Sequence, residues 1–139
     1  MRCHLYSQNI LEGAEEVIMP FLDELDTRDM GNGNAKLLNQ FRYQLRKSCE
    51  IITVPAGFIT DFASIPRALR AVITGHDNTK KPAVIHDFDY RTKFCVRTRK
   101  CVDKIFLMSM KESGVPRWKR YMAYWGVRAG GWASWKSGK

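Results

Sequence analysis

Residues 50–66 read EIITVPAGFITDFASIP and mark the point where strand-type sequence gives way to helix-type sequence. β-branched side chains dominate the first part of this stretch, and such residues favour extended backbone. Pro55 and Gly57 predict a turn or kink within the strand region. Ser64 followed by Pro66 is typical of a helix N-terminus, where a hydroxyl caps the first turn and proline occupies it. We therefore expect strands before this stretch and helices after it.

Toward the N-terminus, the pattern predicts a small antiparallel sheet across roughly residues 18–63. The run GNGN at residues 31–34 is a strong turn signal. Phe41, Tyr43 and Leu45 alternate with polar residues. Because side chains alternate across a strand, this segment is predicted to have one apolar face and one polar face.

Toward the C-terminus, the pattern predicts three to four packed helices. The first follows Ser64, and the second carries Pro82 in its first turn. The third covers Cys101–Ser113, and the last opens at Pro116 and ends at Gly130–Gly131. With the N-terminal sheet, these helices predict an α+β fold built as one domain over all 139 residues.

The charge of the chain, +9 overall, is unevenly distributed. Residues 1–50 carry 6 Lys/Arg and 8 Asp/Glu, whereas residues 51–139 carry 17 Lys/Arg and 6 Asp/Glu. The basic part would suit nucleic acid, anionic lipid or an acidic protein, or it forms a solvated surface without a partner. No apolar run approaches the roughly eighteen residues of a membrane span. The N-terminus lacks a signal-peptide pattern, so we expect synthesis in the cytoplasm.

The last helix carries an aromatic stripe, because Trp118, Tyr121 and Trp125 follow an i, i+3, i+7 spacing. Such a stripe usually faces the core, and we interpret it in that way. The alternative is a stacking surface for nucleic acid, since Arg and Lys side chains line other faces of this helix. No nucleic-acid-binding motif accompanies the stripe, so nucleic acid is not the expected partner.

The segment HDFDYR at residues 86–91 is the enzyme-like feature of the chain. On a helix, His86 and Tyr90 are four residues apart and share a face. If the next helix packs antiparallel, Asp103 approaches His86, and Tyr90 would hold the carboxylate in place. A carboxylate on one imidazole nitrogen leaves the other free to take a proton from water or a hydroxyl. The alternative is a satisfied polar network that only fixes the register of the two helices.

The loop before the first helix is a second candidate site. Asp61 and Ser64 lie close together there, near backbone carbonyls that would suit a hard cation such as calcium. The competing interpretation, which we favour, is that both residues cap the following helix. Ser64 would act as a nucleophile only with a base such as His86 in reach, and the local sequence lacks a nucleophile-elbow motif.

The four cysteines, Cys3, Cys49, Cys95 and Cys101, form no CxxC pair. A structural zinc site is therefore not predicted. Without an export signal, free thiols are the default state. Disulfides are expected only if the protein reaches an oxidising exterior, as a component of a virion would.

Four ordered blocks of the sequence resemble a small domain of unknown function that is common in tailed bacteriophages and prophages. The blocks are VPAGFITDFASIPR (54–67), HDFDYR (86–91), VDKIFLMSM (102–110) and YWGVRAGGW (124–132). The resemblance covers roughly residues 41–132, and the cysteines are not part of its pattern. It implies that the recurring polar positions are Asp61, Ser64, His86, Asp87, Tyr90, Asp103 and Arg128.

HDFDYR and the helix after it also resemble the helix pair of secreted phospholipases of the A-two type, especially the bacterial ones. This resemblance implies that His86 is the base on a water molecule, that Asp103 orients it, and that Asp87 binds calcium. An upstream loop supplies the other calcium ligands in those enzymes. The sequence departs from them because VPAGFITDF is not their glycine-rich calcium loop, and because the disulfides that join their helices are absent.

Two main functional hypotheses follow. The first is a structural or accessory protein of a phage virion, in the tail or baseplate, made in the host cytoplasm and assembled into the particle. It would bind other phage structural proteins through a basic, aromatic surface. The second is a small His-Asp hydrolase, phospholipase-like or an esterase, that acts on lipid of the host envelope, with calcium as a candidate cofactor. A nucleic-acid-associated protein is a third reading, which rests on the basic charge alone.

Overall fold

A computed structural model describes residues 20–46, 50–60, 77–93, 98–131 and 135–136 of the chain. Within these residues a β part is followed by a helical part. The strands are β1 (Thr27–Gly31), β2 (Asn34–Leu37), β3 (Phe41–Gln44), β4 (Ile51–Val54) and β5 (Ile59–Thr60). The helices are α1 (Lys80–Thr92), α2 (Arg99–Glu112) and α3 (Arg117–Gly130), and a short 3₁₀ turn, Asp77–Thr79, leads into α1. The predicted α+β arrangement is confirmed, and the helix predicted after Ser64 lies outside the described residues.

The β part contains two small sheets instead of the single sheet that the sequence predicted. One sheet has the order β1-β2-β5, and β3 pairs with β4 in the other; all pairs are antiparallel. The division arises at Pro55–Gly57, where Gly57 adopts a φ of 86° and donates its N–H to the Leu37 carbonyl at 2.8 Å. Because of this turn, β4, which precedes it, pairs with β3, whereas β5, which follows it, pairs with β2.

The apolar face predicted for β3 is confirmed. Phe41 and Tyr43 are fully buried, and Leu45 is nearly so. The face packs against α1 in the larger of two apolar clusters, whose buried members on β4 and the helices are Ile52, Val54, Val84, Ile85, Phe88 and Ile105. The predicted GNGN turn also forms, as the connection of the β1–β2 hairpin, in which Gly31 is paired with Asn34. The packing of β3 and β4 against α1 holds this helix in position, which matters because α1 carries HDFDYR.

The three predicted C-terminal helices are confirmed, with ends that differ by a few residues from the prediction. The Thr98 side chain accepts a hydrogen bond from the Cys101 N–H and caps α2, and Gly114, at φ 79°, follows the end of this helix. Pro116 is the N-cap of α3. A second apolar cluster, in which Phe106 and Met110 of α2 meet Ala123 and Val127 of α3, joins these helices. Among the described residues, no helix combines the length and the apolar character needed to cross a membrane.

The interpretation of the α3 aromatic stripe as a core face is wrong. Trp118, Tyr121 and Trp125 are 61%, 42% and 65% exposed. The core face of α3 is formed instead by Ala123 and Val127, which are fully buried. Both sets have helical spacing, so periodicity cannot distinguish them. Small side chains bring α3 close to α2, and the bulky aromatic residues then occupy the opposite, outer face.

Candidate functional site

α1 and α2 run antiparallel and bring His86 and Asp103 into contact, as the sequence predicted. His86 Nε2 lies 2.9 Å from Asp103 Oδ1, and the Tyr90 hydroxyl donates to the same oxygen at 2.6 Å. Phe106, one turn after Asp103, contacts the His86 ring with a centroid distance of 4.7 Å. The direction of α2 relative to α1 follows from this order, because moving forward along α2 moves the contact backward along α1.

The Asp103 carboxylate is the centre of the site and is fully buried. Its second oxygen, Oδ2, accepts a hydrogen bond from Arg128 at 3.0 Å, so all three helices meet at this group. Burial alone would raise the pKa of Asp103. Hydrogen bonds from His86, Tyr90 and Arg128 outweigh burial and hold this pKa below its usual value. Asp103 is therefore ionised at neutral pH.

The His86 ring is held in one orientation by its neighbours and is only 2% exposed. It packs on Tyr90 with a centroid distance of 4.2 Å. An ionised carboxylate only accepts hydrogen bonds, so Nε2 must be the donor in the contact with Asp103. In the neutral ring the lone pair then lies on Nδ1, which has no hydrogen-bond partner among the described residues. The arrangement is one that can accept a proton at a defined atom.

Tyr90 holds the Asp103 carboxylate in place, and its ring packs closely against Gly131 at the end of α3. Burial, together with the charge of Asp103, raises the pKa of Tyr90, so its hydroxyl remains a donor. An added Cβ at Gly131 would lie 2.8 Å from the Tyr90 hydroxyl oxygen and 2.5 Å from the Val127 carbonyl oxygen. Glycine at position 131 therefore leaves the space that Tyr90 occupies. The Gly-Gly pair was visible in the sequence as a helix stop, but this packing role was not predicted.

Arg128, one of the polar positions that the resemblance implies, donates a hydrogen bond to Asp103, a contact that the sequence did not predict. The sequence did not predict the hydrogen bond from Arg99 that holds the backbone of Arg128. Arg99, from the first turn of α2, donates to the Arg128 carbonyl at 3.1 Å. A cation at the C-terminal end of a helix also interacts favourably with the helix dipole. Arg99 thus stabilises the last turn of α3, the turn that presents Arg128.

Asp87 takes part in a different contact from its neighbour His86. Its Oδ2 accepts a hydrogen bond from the Thr60 hydroxyl of β5 at 2.5 Å, and the side chain is buried. Asp61 and Ser64, the other two predicted binding residues, lie outside the described residues. Within the described part of the chain, no three His, Cys, Asp or Glu side chains come close enough to hold a metal ion. Calcium binding by Asp87 and Asp61 stays a prediction.

A second polar cluster links the β3–β4 sheet to the end of α2 and was not predicted. The Tyr43 hydroxyl donates to Glu112 Oε2 at 2.6 Å, and Arg46 Nε lies 2.8 Å from Glu112 Oε1. Burial is the main cause that raises the pKa of Tyr43, followed by its bond to Glu112. Tyr43 and Glu112 are 69 residues apart, and no sequence pattern connects residues at such a distance.

Of the four cysteines, the structure describes only Cys101. Cys101 is a free, exposed thiol, which agrees with the default expected from the sequence. The other three cysteines, Cys3, Cys49 and Cys95, lie outside the described residues.

Comparison with known proteins identifies a family but no characterised relative. No curated protein and no solved structure matches the chain. One family model matches residues 35–127, from β2 to the last turn of α3. The match includes His86, Tyr90 and Asp103, and overlaps the region in which the sequence resembles a domain of unknown function. A link of this family to phages stays a prediction. The chain belongs to the family described as Protein of unknown function (DUF1353).

Proposed function

We propose that this protein is a small hydrolase in which His86, oriented by Asp103, acts as the general base on a water molecule. The observation that carries the proposal is the 2.9 Å contact between His86 Nε2 and Asp103 Oδ1. This contact directs the lone pair of the neutral ring to Nδ1. Proton transfer by a positioned side chain requires such a fixed acceptor atom.

The charges around the dyad suit this role. When His86 takes a proton, the imidazolium is stabilised by the ionised Asp103 on its other nitrogen. Tyr90 and Arg128 hold the carboxylate from two further directions, at 2.6 Å and 3.0 Å. His86, the proposed base, and Asp103, which orients it, both lie on helices. The distance between them is therefore set by helix packing and not by the conformation of a loop.

The proposed substrate class is an ester bond in lipid of the host envelope. It rests on the likeness of the His86, Asp87 and Tyr90 spacing to that of secreted phospholipases. Asp87 would be the calcium ligand in that comparison, and its buried side chain accepts a hydrogen bond from the Thr60 hydroxyl. No step of the proposed chemistry depends on calcium, and its role is decided by comparing calcium with chelator.

The test is hydrolysis of phospholipid and of short-chain esters by the wild type and by His86→Gln. We expect turnover by the wild type and a loss of about 10²–10⁴-fold in His86→Gln, the usual contribution of a general base. Cys101→Ser, at an exposed position, is the matched control and should retain turnover. Circular dichroism and thermal unfolding verify that each variant is folded. Absence of turnover by the folded wild type, with calcium and with chelator, contradicts the proposal.

A second candidate is a structural or accessory protein of a phage virion, in the tail or baseplate. The observation that favours it is burial: His86 is 2% exposed and Asp103 is fully buried. A polar network that is shielded in this way would serve to fix the register of the three helices. Mass spectrometry of purified particles tests this candidate. A fixed copy number of the protein supports a structural role, whereas its absence from particles that contain the other phage proteins rejects it.

A further inference from the structure

The outer face of α3 exposes three large aromatic side chains in a row. Trp118, Tyr121 and Trp125 are 61%, 42% and 65% exposed, whereas Ala123 and Val127 on the opposite face are fully buried. With a rise of 1.5 Å per residue, the row extends about 10 Å along the helix. Contiguous exposed apolar surface of this kind usually marks a site of interaction, since water is a poor environment for it.

The charged side chains of α3 and of the sequence that follows it are all basic. No acidic residue follows Glu112 in the sequence, whereas six Lys/Arg do, and all four tryptophans fall between positions 118 and 135. The Lys119 ammonium lies over the Trp118 ring at 5.3 Å, and the Arg120 guanidinium lies 6.0 Å from the Tyr121 ring. The exposed aromatic groups are therefore bordered by cations, so the surface would attract an anionic partner.

We infer that this face of α3 binds the surface of an anionic phospholipid membrane, with the helix lying in the plane of that surface. Indole and phenol rings combine an apolar body with a polar edge, which suits the boundary between headgroups and acyl chains. Lys and Arg beside them interact with acidic headgroups. α3 has 14 residues, or about 21 Å of helix, which is too short to span a bilayer of about 30 Å.

A membrane surface fits the shape of this face better than a nucleic acid does. Binding of single strands relies on aromatic side chains inside a groove that follows the phosphate backbone. The aromatic residues of α3 instead project from the outer face of a single helix. A broad, soft surface such as a lipid headgroup layer can accept side chains that project in this way.

The experiment is flotation of the purified protein with vesicles of dialkyl-ether lipids, either phosphatidylcholine alone or phosphatidylcholine with an equal amount of phosphatidylglycerol. Dialkyl-ether lipids contain no acyl ester bond, so the result does not depend on ester hydrolysis by His86. The test variants are Trp118→Ser/Trp125→Ser and Arg117→Gln/Lys119→Gln. Matched controls are Met30→Ser/Leu38→Ser, at positions 51% and 49% exposed, and Lys36→Gln, all on or beside the β1–β2 hairpin.

We expect binding to the anionic vesicles that weakens at high salt, and little binding to phosphatidylcholine alone. The charge variant should lose about fivefold in affinity for each cation removed, since each contributes about 1 kcal/mol near an anionic surface. The tryptophan variant should lose about tenfold or more for each ring. The controls should bind like the wild type.

Three results would overturn the inference. The first is failure of the folded wild type to bind anionic vesicles. The second is binding that the tryptophan variant retains in full. The third is salt-sensitive binding to single-stranded DNA that requires Trp118 and Trp125 while vesicles are not bound, which would assign this face to nucleic acid instead.

Discussion

The contact between Gly131 and Tyr90 predicts that Gly131→Ala destabilises the protein through the network around Asp103. The added methyl carbon would lie 2.8 Å from the Tyr90 hydroxyl oxygen, 3.3 Å from Tyr90 Cε1 and 2.5 Å from the Val127 carbonyl oxygen. Carbon atoms pack favourably only at about 3.5 Å or more. Tyr90 or the last turn of α3 must therefore shift, and overpacking of this kind costs about 1–3 kcal/mol.

A double-mutant cycle isolates the part of this cost that comes from the hydroxyl. Tyr90→Phe removes the oxygen that the new methyl would meet, and by itself loses a hydrogen bond to a charged acceptor, worth about 1.5–3 kcal/mol. Both single variants weaken the Tyr90–Asp103 hydrogen bond, Gly131→Ala by displacing the ring and Tyr90→Phe by removing the hydroxyl. In Gly131→Ala/Tyr90→Phe this hydrogen bond is lost only once. We expect a coupling free energy of about 0.5–1.5 kcal/mol, with the double variant more stable than the sum of the single variants predicts.

The assay is urea unfolding followed by circular dichroism, with thermal unfolding in parallel. For a chain of this size, Gly131→Ala should lower the thermal midpoint by about 3–10 °C. Gly130→Ala is the matched control: this residue is exposed at the end of α3, and alanine there should be neutral or slightly stabilising. The reasoning is refuted if Gly131→Ala is as stable as Gly130→Ala, or if the two substitutions of the cycle are strictly additive.

Three further predictions concern stability. The pKa of Asp103 is lowered in the fold, so the stability that its ionised carboxylate contributes is complete above about pH 4 and is lost as the pH falls through the pKa of the folded protein. The free energy of unfolding, measured from neutral pH to about pH 3, should therefore decline less steeply in Asp103→Asn than in the wild type. Equal slopes would contradict this prediction. Tyr43→Phe should cost about 1.5–3 kcal/mol because it removes the hydrogen bond to the charged Glu112 Oε2, whereas the exposed Tyr121→Phe should cost almost nothing in the same urea titration. Gly114→Ala should cost about 1 kcal/mol, since its φ of 79° is unfavourable for any residue with a Cβ; an unchanged urea midpoint would count against that.

The helical part of the fold was predictable because its signals are local. Pro82, Gly114 and Pro116 mark helix ends through the backbone geometry of single residues. The His86–Asp103 contact followed from two facts that the sequence contains, namely the one-turn spacing of His86 and Tyr90 and the short connection to the next helix.

The remaining features depend on how distant segments meet, which local patterns do not encode. The division into two sheets depends on the hydrogen bond from Gly57 to Leu37, which joins the turn between β4 and β5 to the end of β2. The orientation of α3 depended on whether small or large side chains pack against α2, and Ala123 rather than Trp118 does so. The clearance that Gly131 provides for Tyr90 requires knowledge of both helices at once.

The position of Asp103 has a consequence for the order in which the protein folds. Its partners His86, Tyr90 and Arg128 are 17, 13 and 25 residues away. Loops of this length close at low entropic cost, whereas the Tyr43–Glu112 contact closes a loop across 69 residues. Contacts between near neighbours tend to form early. We therefore expect the three helices to assemble around Asp103 in the folding transition state, with high φ-values there, and β3 to dock onto the end of α2 afterwards.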